Sequence, residues 1–236
     1  MHCLTTLLLL IAMLFIEDAR AQTQPSDPRI GLLETALRQE PASLVRRCDL
    51  TRALLERYRH TAEPALLARA AELLTALREQ APDSFEAQKL KAWETLLRGR
   101  TAQALPLILA LHKKMPDDLE LYGYLVEAYT KLGQLDQAEH QANWMLRLRP
   151  QHPDTLRRAA ELRERFGDSE GALLMWNDLY RRTPPIQSLD RAYILARVAR
   201  LIKASNPERA KAVAAESLRI APNSQEARNA VQEVSE

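Results

Sequence analysis

The chain has 236 residues, 46% of them hydrophobic and 27% charged, a composition that argues against disorder and allows one large domain or two small ones. Its formal net charge of +2 gives no electrostatic reason to expect nucleic acid or an anionic membrane as partner. Only 6 Gly stand against abundant Ala, Leu, Arg and Glu, which lose little side-chain freedom in a helix, so the expected class is all-α.

In chain order, the first element is the apolar run from Leu4 to Ile16, too short for a hydrocarbon core that takes roughly 20 helical residues. Ala19-Arg20-Ala21 follows, small residues around one arbitrary position, the form a signal peptidase accepts. Residues 1–21 are therefore expected to be a signal peptide cleaved near Ala21, with 22–26 a short linker and the periplasm the destination. An uncleaved, membrane-anchored form is the alternative, because Met1-His2-Cys3 places no Lys or Arg before the run. The mature chain itself offers no segment for membrane insertion. Cleavage also removes Cys3 and leaves Cys48, so no intrachain disulfide is expected and stability must come from packing. Cys48 lies in line with Leu44, Leu55 and Tyr58 and reads as a small apolar residue rather than a reactive thiol.

A helix is expected over about Pro28 to Gln39, and beyond it the chain repeats. Pro82, Pro116, Pro150 and Pro184 each follow the last by 34 residues. Gly99, Gly133 and Gly167 keep the same interval, and five residues after each comes Ala104, Ala138 or Ala172. Ala70 with Pro82, and Ala210 with Pro222, extend the pattern both ways. After each Ala, apolar residues recur on one face of a helix: Leu74 and Leu77, Ile108 and Leu111, Ala142 and Met145, Trp176 and Leu179. Ala lets a neighbouring helix approach closely, Gly133 suits the left-handed residue that ends a helix, and Pro stops the second helix. The units are expected to end near Pro82, Pro116, Pro150, Pro184 and Pro222, with a closing helix over 223–234 to cover the end face. The first unit carries a few extra residues before Pro64, and the last is longer than the rest, which leaves the register of its first helix open.

This pattern resembles the tetratricopeptide repeat, a helix-turn-helix unit of 34 residues. The fullest copy runs from Leu119 to Pro150, with Tyr122, Leu125, Tyr129, Gly133, Ala138 and Pro150 at the signature spacings. The resemblance covers 27–236 and implies a right-handed superhelix, an α-solenoid of about five units plus terminal helices. It also implies that the first helices line a concave groove that binds a protein or peptide. Carried onto this chain, the groove positions are Glu86, Lys89 and Trp93; Glu120, Gly123, Glu127, Thr130 and Lys131; and Asp154, Arg157, Glu161, Glu164 and Arg165. Trp93 and Glu127 stand where the family's carboxylate-gripping clamp has Asn, so that chemistry is not expected. Tyr122, Tyr129, Trp144 and Trp176 are expected in the core between helices. The function implied is a scaffold or assembly factor in the cell envelope, with an accessory role in envelope polysaccharide export as the alternative. Homo-oligomerisation through the degenerate terminal units is a further expectation.

No enzyme is expected. Gly167-Asp168-Ser169-Glu170-Gly171 spells the G-x-S-x-G elbow of serine hydrolases, which requires a strand before Ser169, but Thr155 to Phe166 has helical composition. Ser169 is better read as part of a helix-helix turn. His60, His112, His140 and His152 fall at no metal-ligand spacing, and no phosphate-binding loop or dinucleotide fingerprint is present, so neither metal nor cofactor is expected.

Overall fold

The computed structural model describes residues 27–236, and the signal-peptide and linker readings for 1–26 lie outside the described residues. Those described form twelve helices and no strand. A single helix, α1 (Pro28–Gln39), precedes five antiparallel hairpins. These are α2 (Leu44–Thr61) with α3 (Pro64–Gln80), α4 (Phe85–Leu97) with α5 (Thr101–Lys114), and α6 (Leu119–Lys131) with α7 (Leu135–Leu148). They continue with α8 (Pro153–Arg165) and α9 (Ser169–Arg182), then α10 (Ser188–Ile202) and α11 (Pro207–Ile220); α12 (Gln225–Ser235) closes the row. None of these helices is long and apolar enough to cross a membrane.

The repeated residues make the repeated geometry. Gly99, Gly133 and Gly167 take φ of +75°, +74° and +78°, where a Cβ would be strained. The residue after each donates its amide five residues back, from Arg100 to Thr95, Gln134 to Tyr129 and Asp168 to Arg163, which satisfies carbonyls at the helix end. Each second helix stops two residues before its proline: Gln80 before Pro82, Lys114 before Pro116, Leu148 before Pro150, Arg182 before Pro184 and Ile220 before Pro222. Ser84, Asp118 and Ser224 then cap the next helix by accepting from the amides of Ala87, Leu121 and Ala227. Ala70, Ala104, Ala138, Ala172 and Ala210 are all fully buried at the points where paired helices approach.

Two departures follow from particular residues. The first hairpin has no glycine, and Ala62 takes the left-handed conformation in its place, at φ 55°. Trp144, expected in the core, is 40% exposed on α7 beneath the Arg147 guanidinium, because it sits one position off the stripe of Ala138, Ala142 and Met145. Tyr122 and Trp176 are buried as expected, and Tyr129 is half-buried.

The row of hairpins curls far enough for its two ends to meet. Helix α2 touches both α10 and α12. Its 18 residues, against 13 in α4, α6 and α8, carry an extra turn that reaches across the superhelix. On that turn His60 Nε2 lies 3.1 Å from Asp190 Oδ1, and its ring meets Tyr193 edge-on at 5.9 Å. The residues inserted before Pro64 therefore lengthen α2 and form a seam, so the long open trough implied by the repeat is a closed turn.

Candidate interaction surface

The first helices of the units, α2, α4, α6, α8 and α10, face inward. They and the segments beside α1 and α12 enclose a cavity of about 1300 Å³ lined by Arg52, Lys89, Trp93, Glu120, Asp154 and Arg157, among others. A second chamber of about 280 Å³ lies toward the C-terminal ends of α2, α6, α8 and α10, and includes Glu127, Lys131, Arg157, Glu161 and Arg165 in its lining. Most groove positions inferred from the repeat thus divide between the two spaces; Glu86, Gly123 and Glu164 line neither, Glu86 being joined to both Arg52 and Lys89.

These side chains are largely engaged with one another. Lys89, 7% exposed, reaches Glu120 at 2.6 Å, Asp118 at 3.0 Å and Glu86 at 3.2 Å. Arg52 bridges Glu86 on the next unit and Glu120 on the one after, the latter at 2.5 Å. Glu127 accepts from Lys131 and from Arg158, each at 2.7 Å. Arg157 holds Asp154 and lies 3.1 Å from Glu161, which also accepts from the Tyr193 hydroxyl at 2.7 Å. Glu164 binds Arg197 and accepts from Trp176 Nε1 at 2.6 Å. Arg197 and Arg200 carry the lattice on to Glu226 of α12.

The electrostatics follow the pairing. Burial alone would raise the Glu127 carboxyl, but Arg158 and Lys131 overcome it and hold the group far below the usual carboxylate range. Asp154 is partly buried, yet Arg157 and Arg158 keep it at about 2. Burial lowers the basicity of His60, although its hydrogen bond to Asp190 opposes this.

Trp93 is not the exposed aromatic anchor that its groove position suggests. It is 4% exposed and stacks on Tyr124 at 5.8 Å between ring centroids, packed between α4 and α6. Gly123 has the opposite role to a contact residue, since a Cβ there would collide with Asp154 Oδ2. Its lack of a side chain lets α8 bring that carboxylate against α6. Thr130 and Arg165 remain part-exposed and exposed on the chamber wall.

Sequence reasoning missed Arg52, Tyr124, Arg158, His60, Asp190, Tyr193 and Arg197, all of which line these spaces. A signal was present: Arg52 and Glu86, Glu127 and Arg158, and Glu164 and Arg197 are opposite charges separated by close to one repeat length, which places them side by side on successive units. Ser169 opens α9 after Gly167, with Asp168 as its cap and helix α8 where the hydrolase elbow requires a strand. Cys48 is buried, and burial raises its thiol above the ordinary value. Among the described residues no group of three His, Cys, Asp or Glu is arranged to hold a metal ion.

Comparison with known proteins agrees with this geometry. Residues 96–166 match the tetratricopeptide-repeat family profile. No curated protein sequence matches the chain significantly. Among solved structures the chain is similar to a thermophilic TPR protein of Thermus thermophilus, with 20% identity and a TM-score of 0.63 over 78% of this chain and 96% of that one. It is similar to yeast Tom70, at 14% identity and a TM-score of 0.57, over 92% of this chain and 44% of that one. It is also similar to Pseudomonas aeruginosa pilF, at 18% identity and a TM-score of 0.51, over 85% of this chain and 86% of that one. The repeat clock in the sequence, the stacked hairpins and these likenesses identify the chain as carrying the tetratricopeptide-repeat fold.

Proposed function

We propose that this chain is a non-catalytic scaffold or assembly factor of the cell envelope that receives a segment of a partner polypeptide on its concave side. The observation that carries the reading is the central cavity of about 1300 Å³, lined from α1 to the start of α12 by side chains of both charges. A site of mixed charge suits a peptide, which presents both signs of charge and backbone polar groups, better than it suits a uniform polymer. Because α2 meets α10 and α12, the guest is a narrow segment or enters when the seam parts. The envelope placement rests on the apolar run Leu4 to Ile16 followed by Ala19-Arg20-Ala21, and on a single buried thiol, Cys48, that suits an oxidising compartment.

Capture from envelope extract tests this reading, and Glu120→Lys is the informative variant. Glu120 lines the cavity with a side chain 42% exposed but also pairs with Arg52 and Lys89, so Glu120→Gln is measured beside it to separate loss of the guest from loss of the lattice. The expected result is a protein partner held by the wild type and lost by Glu120→Lys, with unchanged helical circular dichroism. Retention of glycan without protein would overturn it and favour a role in polysaccharide export.

A further inference from the structure

The smaller chamber has a charge excess that the mixed lattice does not account for. Six cationic side chains line it, Arg59, Lys131, Arg157, Arg158, Arg165 and Arg197, against the carboxylates of Glu127 and Glu161. Both carboxylates are saturated, Glu127 by Lys131 and Arg158, Glu161 by Arg157, Arg158 and Tyr193. Arg197 is satisfied from behind by Glu164 and Glu226, and Arg157 by Asp154. One cation is left: Arg165 joins no ion pair among the described residues. Arg59 is the most weakly held of the others, with Asp190 at 3.8 Å and His60 Nε2 at 3.3 Å.

The polar groups of the wall are also incompletely used. His60 Nδ1 and Arg158 Nε have no hydrogen-bond partner, on side chains that are 7% and 4% exposed, although Asp154 lies 3.8 Å from Arg158 Nε. Groups so placed are costly to leave unmet. Arg59 suffers both from burial and from the neighbouring Arg157, which together lower its basicity.

We propose that this chamber binds a phosphate group, as the free ion or as a small phosphomonoester. An oxyanion compensates the unpaired Arg165 and offers further acceptor oxygens to Arg59, which Asp190 holds only at 3.8 Å. Its tetrahedral oxygens suit guanidinium groups supplied to one chamber by different helices, Arg59 on α2 and Arg165 on α8. The volume of about 280 Å³ admits a phosphate with a small organic group and no folded partner. The site exists only because the superhelix closes, since α2 supplies Arg59 from across the seam. It adjoins the larger cavity and shares Arg59, His60, Arg157 and Arg158 with it, while Arg165 lines the smaller chamber alone, so a change at Arg165 tests this site apart from the guest polypeptide.

Calorimetric titration of the full mature chain in chloride buffer at neutral pH tests the assignment, with inorganic phosphate, glycerol 3-phosphate and acetate as probes. Saturable binding of either phosphate species is expected, with the tighter one identifying the source, and little binding of acetate. Arg165→Gln, on the exposed end of α8, should weaken phosphate binding about tenfold while leaving the fold intact, and Arg59→Gln should do the same. Phosphate should also raise the melting temperature of the wild type more than that of Arg165→Gln. Absence of saturable phosphate binding, equal affinity in Arg165→Gln, or acetate bound as tightly as phosphate would each overturn it.

Discussion

The two halves of the superhelix differ in the continuity of their apolar core, while ion pairs between units run through both. From α1 to α6 one apolar cluster runs without interruption from Ile30 to Ala128, built on large side chains such as Leu50, Leu54, Leu77, Leu90 and Ile108. From α6 onward the core divides into three separate clusters, and the last consists of Ala196, Ala199, Ala210, Ala214 and Ala230 with Val234. Burying alanine removes little apolar area from water and stabilises correspondingly little. Its use there is close approach, which brings Glu164, Arg197, Arg200 and Glu226 within ion-pair distance of partners on neighbouring helices. The comparison teaches that one repeat geometry can rest on a continuous oily core or on a divided one joined by a lattice of charges. The lattice adds modest net stability but penalises the loss of any one member, since the partner is left buried and unpaired.

The comparison can be broken most forcefully from the apolar side. Leu90→Ala removes a fully buried side chain from the continuous cluster and should cost about 2–5 kcal/mol, measured by urea unfolding. Hydrogen exchange should then speed up across α2 to α6 together, and a loss confined to α4 would show that the cluster is not one unit.

Acid probes the half with the divided core. Asp154 is held at about 2 against an ordinary 3.8, and Glu127 and Glu161 are depressed as well. Carboxyls held low stabilise the fold fully above their ordinary values, and that contribution disappears as pH falls through 3.8 toward 2. In that window hydrogen exchange should rise in α8 to α12 before α2 to α5, and small-angle scattering should show expansion as the seam parts. Uniform exchange in both halves would remove the distinction.

The smallest effect sharpens the picture of the first hairpin. Ala62 adopts a left-handed conformation that an L-residue resists by about 1–2 kcal/mol. Ala62→Gly relieves this while adding freedom to the unfolded chain, so thermal melting should show a net gain of up to about 1 kcal/mol.

Much of the fold was legible in sequence because its determinants are local. A left-handed Gly133, a proline two residues past each second helix, and an Ala where helices touch act within one hairpin, so their spacing is enough to read them. The inner positions were legible too, because the repeat assigns faces. Their state was not. Trp93 reads as a groove aromatic until Tyr124, from the next unit, covers it, and Lys89 reads as a free charge until Asp118 and Glu120 surround it.

What the sequence by itself determined is the hairpin, its period and its number, since each rests on residues a few positions apart. What only the tertiary structure decided is that the turn closes, with His60 of the first unit against Asp190 and Tyr193 of the last. Closure depends on small rotations summed over every unit interface, and no single spacing along the chain encodes that sum.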